Sequence, residues 1–203
     1  MRELSTAALT LSPVSTEHLY REFALMVAPA AAAVANFCDH IEHNETADRS
    51  WIIDAGRCLR ATSCKIAAQD GEDLRARYAA RLRAIERRTP AWEPGAVDGG
   101  YLVERAATWR DLQLAQLEHD RRYHPDVIGL AKFDQLRHYA LHIAKLAGAL
   151  AEMSQGLADP EDFRTRRLPD LLLFGIKLAT VTGQHLPEIS LAEPVGEREL
   201  VAA

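Results

Sequence analysis

Four of the chain's eight histidines lie between Asp111 and Lys145, as His119, His124, His138 and His142, in the company of Asp120, Asp126 and Lys145. Imidazole titrates near neutrality, so it can move a proton, ligate a metal or, once protonated, meet an anion. Spacing narrows the choice. His138 and His142 stand i,i+4, which on a helix puts both rings on one face, where they can chelate a single ion. Lys145 follows one turn later, and an ammonium there suits an anionic ligand better than a cation. His119 and Asp120 are adjacent, with His124 four positions on.

Turning 100° per residue, Leu102, Ala106, Trp109, Gln113, Leu117 and Asp120 keep to one apolar line, and His124 extends it. Gln113 and Asp120 therefore face inward. A carboxylate turned toward a core needs a cation, a metal or several donors, so Asp120 requires a partner. That partner is either structural, an arginine for instance, or part of a site in which Asp120 or His124 acts as base and Gln113 contacts ligand. Over 131–154 the core line is Leu136, Tyr139, Ile143, Leu146, Leu150 and Met153, while Asp134, His138, His142, Lys145 and Glu152 take the other side. By itself that polar side is a water-facing stripe, a metal chelate or an anion site. Asp170, the lone acid of an apolar stretch, is either a helix-dipole partner or an inward ligand. The metal ligands on offer are His119, His138, His142 and Asp120, for a divalent ion left open among Zn, Mn and Fe.

The elements that must position these groups read as helices throughout. Residues 1–14 form an arm without period, and 15–89 a helical region that Pro29 stops or kinks before Ala30 to His43 resumes. Asp39, His40, Glu42 and His43 crowd that end, as a solvated terminus or a metal site. Asp48 caps a second helix that Gly71 closes, and Glu72 to Arg88 makes a third carrying six arginines, Arg75, Arg77, Arg81, Arg83, Arg87 and Arg88. Such a face is solvated or holds phosphate. The run TPAWEPGAVDGG sets a linker at 90–100. A helical core follows over 101–187, with one helix from Tyr101 to about Tyr123, one from Ala131 to Ser154, a restart at Asp159-Pro160 and a further start at Pro169. Residues 188–203 read as a tail.

Composition limits the partners. A formal charge of −5 leaves no global basic field for a nucleic-acid backbone. No apolar run in the sequence approaches the roughly 20 residues of a bilayer span, and the first residues lack a signal-peptide core. Three cysteines without a CxxC pair read as reduced thiols, which points to the cytoplasm.

From Leu112 onward the phrasing resembles the MazG-like all-α nucleoside triphosphate pyrophosphohydrolases. The residues that carry the likeness are LHIAKLAGALAE, Leu141 to Glu152, and RRLPDLLLFGIKLATVTGQHL, Arg166 to Leu186. That family has ExxE and ExxD motifs there, whose acids hold magnesium against a triphosphate. On the best register His142 and Lys145 take the ExxE positions, Arg167 the next Glu, and Asp170 alone remains. Nitrogen bases and cations do not bind magnesium, which wants oxygen. The resemblance implies an all-α bundle with a MazG-like C-terminal core, a homodimer, and a nucleotide or other phosphorylated small molecule as ligand. His142, Lys145 and Arg167 would meet its phosphate, with His138 and Asp170 beside them.

Two other readings stand beside it. His40 or His43, His119-Asp120 and Asp170 follow the order of HD-type phosphohydrolases, which implies a metal-dependent enzyme, hydrolytic or oxygen-activating. The last is a non-catalytic helical interaction module.

Overall fold

Apolar residues recurring at three and four positions make helices that can bury only one face each, so the helices must pack on one another. The computed structural model describes residues 16–89 and 98–191, and all its regular structure there is helical. The expected all-α multi-helix bundle is what forms. In chain order it comprises α1 (Thr16–Glu42), α2 (Ser50–Asp70), α3 (Leu74–Glu86), α4 (Gly99–Arg105), α5 (Trp109–Tyr123), α6 (Pro125–Ile128), α7 (Lys132–Ser154), α8 (Pro160–Asp162) and, after a π-helical turn over Phe163–Arg167, α9 (Leu168–Val181). The arm, the tail beyond 191 and most of the 90–100 linker lie outside the described residues.

Pro29 does not stop α1. The proline and Leu25, whose carbonyl loses its helical donor, both lie on the exposed side, where water can replace the missing bond. Tyr20, Phe23, Val27, Ala30, Val34 and Cys38 meanwhile hold the opposite face against α7 and α2. By length and composition α1 could also cross a bilayer, a weak indication, since core helices pass the same test. At the α1 end His43 pairs with Asp39, His40 with Glu45 and Glu42 with Arg137.

The centre of the bundle is α9, in which nearly every residue from Leu168 to Val181 is buried. It crosses α2 where Gly56 meets Gly175. A Cβ on Gly175 would stand 2.7 Å from the Arg60 side chain and 3.0 Å from the Gly56 carbonyl, so glycine is what permits the approach. Arg60 is buried at this crossing and donates to the Gly175 carbonyl at 2.8 Å. Helices from both sides of the 90–100 segment thus share one hydrophobic core.

Three expected boundaries are corrected. The helix from Tyr101 to Tyr123 is two helices, because Thr108 accepts from the Asp111 amide while Asp111 accepts from the amides of Ala107 and Thr108, a capping box that restarts the chain. The start expected at Pro169 falls at Leu168, with the proline in the first turn of α9, but it is not a break in the chain. The chain is helical from Pro160 through the π turn into α9, with the Leu168 amide reaching back to the Phe163 carbonyl. Residues 187–191 are not a free tail. The Trp109 amide donates to the Ile189 carbonyl, that of Arg110 to Pro187 and that of Leu191 to Ala107, so this segment satisfies the exposed start of α5.

Candidate functional site

A cleft of about 470 Å³ opens between the end of α3, the α5–α6 junction, α7 and α9. Four short stretches line it: Arg81, Ile85, Arg88 and Thr89; His124, Asp126 and Val127; His138 and His142; and Asp170, Leu173, Phe174 and Lys177. Each residue arrives by local necessity. His124 is turned out of α5 because the residue before a proline disfavours the helical conformation, and its φ of −136° and ψ of 44° show the exit. His138 and His142 share the i,i+4 face of α7, their ring centroids 4.7 Å apart, and His142 stacks on Phe174 at 4.8 Å.

Behind the cleft lies a buried polar chain. Tyr78 donates to the side-chain oxygen of Gln116, the Gln116 amide donates to Asp120 at 2.8 Å, and the Lys177 ammonium reaches the same Asp120 oxygen at 2.9 Å. The partner that Asp120 requires is therefore Lys177. Burial alone would raise the Asp120 pKa, but the Lys177 ammonium with His119 overrides it and sets it at about 2. Asp120 stays ionised and is a weak base. Lys177 also lies 5.7 Å from the ring centroids of both Tyr139 and Phe174.

The histidines sit in a positive field. Desolvation lowers the His142 pKa, and His138, Lys145, Lys177 and His124 all lower it further, to about 4. His138 and His124 are also lowered, by burial first and Lys177 second. All three imidazoles are accordingly neutral at pH 7.

Of the residues singled out from sequence, His124, His138, His142 and Asp170 come together in the cleft, and Asp120 stands behind it. Asp170 is engaged by Arg81 in a two-pronged ion pair of 2.7 and 2.9 Å, which answers whether it serves the dipole or points inward. Lys145 and Arg167 do not line the cleft. Lys145 is exposed one turn beyond His142, and Arg167 pairs with Asp162 at 3.6 Å. Gln113 is buried elsewhere, holding Thr180, the Gln184 carbonyl and the Leu186 amide. His119 is buried behind the cleft beside Asp120 and Glu86. His40 and His43 line no part of it, so the HD-type order is not assembled there.

Sequence reasoning passed over Lys177 and Arg81. Lys177 is the lone cation of α9, and an inward Asp120 demanded such a partner. Arg81 was masked among six arginines, of which Arg77 and Arg83 pair with acids at the surface.

No protein-family model, curated protein or solved structure matches this chain. The chemistry of the cleft rests on its own geometry.

Proposed function

We propose that this protein binds a small phosphorylated molecule, nucleotide-sized or smaller, in the cleft between α3, α7 and α9. The observation that carries this reading is the convergence of Arg81, Arg88, Lys177 and three histidines on a single opening whose lining acids are Asp126 and Asp170. Arg81 and Asp170 neutralise each other, as Lys177 and Asp120 do, so the net positive charge at the opening is that of Arg88 against Asp126, with the paired cations and the imidazoles as further donors. The volume lies within the range of small-molecule sites, and Ile85, Val127, Leu173 and Phe174 offer an apolar wall.

Burial first, and the Lys145 and Lys177 ammonium groups after it, disfavour the protonated form of His142, and cations so placed also suit an anion. A phosphate in the cleft raises the affinity of His138 and His142 for protons, so binding at pH 7 takes up protons, and the resulting imidazolium groups strengthen the grip. The reading is of recognition without magnesium-type turnover, because the ExxE-like positions hold His142 and Lys145 and the remaining acid is tied to Arg81. All of the named groups come from one chain.

Isothermal titration of the full chain with pyrophosphate, AMP and ATP tests it. Arg88 is exposed at the lip, so Arg88→Ala perturbs the cleft without disturbing the core. The expected result is binding that weakens about tenfold in Arg88→Ala and in His142→Gln, as loss of one charge-assisted contact implies. The heat should change between buffers of different ionisation enthalpy. No binding of any of the three probes at millimolar concentration refutes the reading.

A further inference from the structure

We propose that His119, Asp120 and His124 form a binding site for one transition-metal cation of the zinc class, seated behind the cleft with His124 as its outer ligand. One ligand atom from each of the three lies within 4.8 Å of the others. Adjacent helix residues point about 100° apart, so His119 and Asp120 do not converge by helical phase alone. The third ligand joins them because His124-Pro125 leaves the helix, which sets the His124 ring 5.8 Å from that of His119.

A second, independent observation points to a ligand here. His119 is 1% exposed, yet neither of its ring nitrogens has a hydrogen-bond partner. A buried imidazole left so is costly, and such groups call for an explanation. Its Nδ1 stands 3.5 Å from an Asp120 oxygen and its Nε2 3.8 Å from a Glu86 oxygen, both beyond good hydrogen bonds. A cation between Nδ1 and Asp120 uses the first nitrogen. Glu86, held by the Gly99 amide at 2.7 Å, faces the Nε2–H from 3.8 Å and would accept from it on a small approach, the carboxylate–histidine–metal arrangement that orients metal-bound imidazoles.

The donor set selects the ion. Two imidazoles and one carboxylate suit Zn²⁺, Co²⁺, Mn²⁺ or Fe²⁺ and not Mg²⁺ or Ca²⁺, which want oxygen. Ligand atoms around tetrahedral zinc are roughly 3.3 Å apart for bonds of about 2.0–2.1 Å, so His119 and Asp120 are nearly in place and the widest separation must close by up to about 1.5 Å. His124 is the part able to move, being half-buried at a helix end. Lys177 is the competitor, since its ammonium holds the Asp120 oxygen at 2.9 Å. An entering dication displaces it toward the cleft.

The test is independent of the phosphate reading, because no anion is added. The full chain, stripped with a chelator, is titrated with Co²⁺ and followed by visible absorption, with Zn²⁺ as competitor and Mg²⁺ as control. One equivalent of Co²⁺ should bind and be displaced by Zn²⁺ but not by Mg²⁺. His119→Gln and His124→Gln should each weaken binding by more than about 100-fold, beyond the usual loss for an outer partner. His138→Gln should change it less than threefold, and Lys177→Met should tighten it. Should His119→Gln fail to fold, His124→Gln decides alone. A wild type that takes up neither Co²⁺ nor Zn²⁺ at one equivalent overturns the proposal, as does binding that survives His124→Gln or is abolished by His138→Gln.

Discussion

Replacing Lys177 by methionine keeps the length and bulk of the side chain and removes one charge from the middle of the bundle. In the wild type the ammonium and the Asp120 carboxylate are 2.9 Å apart, with Lys177 8% and Asp120 2% exposed. At an effective dielectric constant of about 20 their attraction is about 6 kcal/mol. Dehydrating the two ions costs several kcal/mol each, so the pair itself is close to break-even. The Asp120 pKa tells the same story. It falls only from 3.8 to about 2, roughly 2 kcal/mol in favour of the ionised form, because desolvation opposes the ammonium.

Taking away the ammonium alone leaves the desolvation unopposed. Lys177→Met should therefore lose about 3–5 kcal/mol, which for a chain of this size lowers the thermal midpoint by roughly 10 °C. Adding Asp120→Asn removes the stranded charge, and the double variant should regain at least about 2 kcal/mol of the loss. Acid supplies a second arm. Asp120 has a folded pKa below its unfolded value, so its contribution is present above about pH 4 and disappears as the pH falls toward 2. Wild type should lose that contribution on acidification, whereas Lys177→Met should lose less of it, its carboxyl having already been pushed toward the protonated form. Urea unfolding monitored by far-UV circular dichroism reads both arms. A single variant within 1 kcal/mol of wild type, or a double variant no more stable than the single, refutes the assignment of Lys177 as the cation on which Asp120 depends.

His142, depressed to about 4 by burial and by His138, Lys145, Lys177 and His124, should remain neutral in a proton NMR titration until well below pH 6, and its midpoint should rise in Lys177→Met. Because its folded pKa lies below the unfolded 6.5, the stability it contributes is present above about pH 6.5 and is lost as the pH drops through 4. Gln113→Ala strands the Leu186 amide and frees the segment that returns over α5. It should cost about 1–3 kcal/mol and speed amide exchange selectively over 184–191. Gly175→Ala drives a methyl into Arg60 and the Gly56 carbonyl at the α2–α9 crossing and should cost about 1–3 kcal/mol by chemical denaturation.

Most of what depends on helical period and on helix ends was legible in the chain alone. The lines Leu136, Tyr139, Ile143, Leu146, Leu150 and Met153, and Gln113 with Asp120, face the core because 100° per residue holds wherever the helix is unbroken. The left-handed ends at Gly71, Gly156 and Gly183, and the exit at His124-Pro125, follow from backbone sterics between neighbours. Two local signals went the other way. Thr108 with Asp111 restarted a helix that the apolar line ran straight through, and Pro29 was tolerated because its lost bond faces water.

Which helices face each other, and with that the site, was set by packing between distant segments. Asp120 advertised a missing partner, but 57 residues separate it from Lys177 and no sequence period links α5 to α9. The same holds for Arg81 and Asp170, which met because α3 packs on α9. Lys145 stands one turn from His142 and yet lies outside the cleft, exposed on α7. Helical phase says which way a side chain points. What it meets there depends on packing between segments distant in the chain.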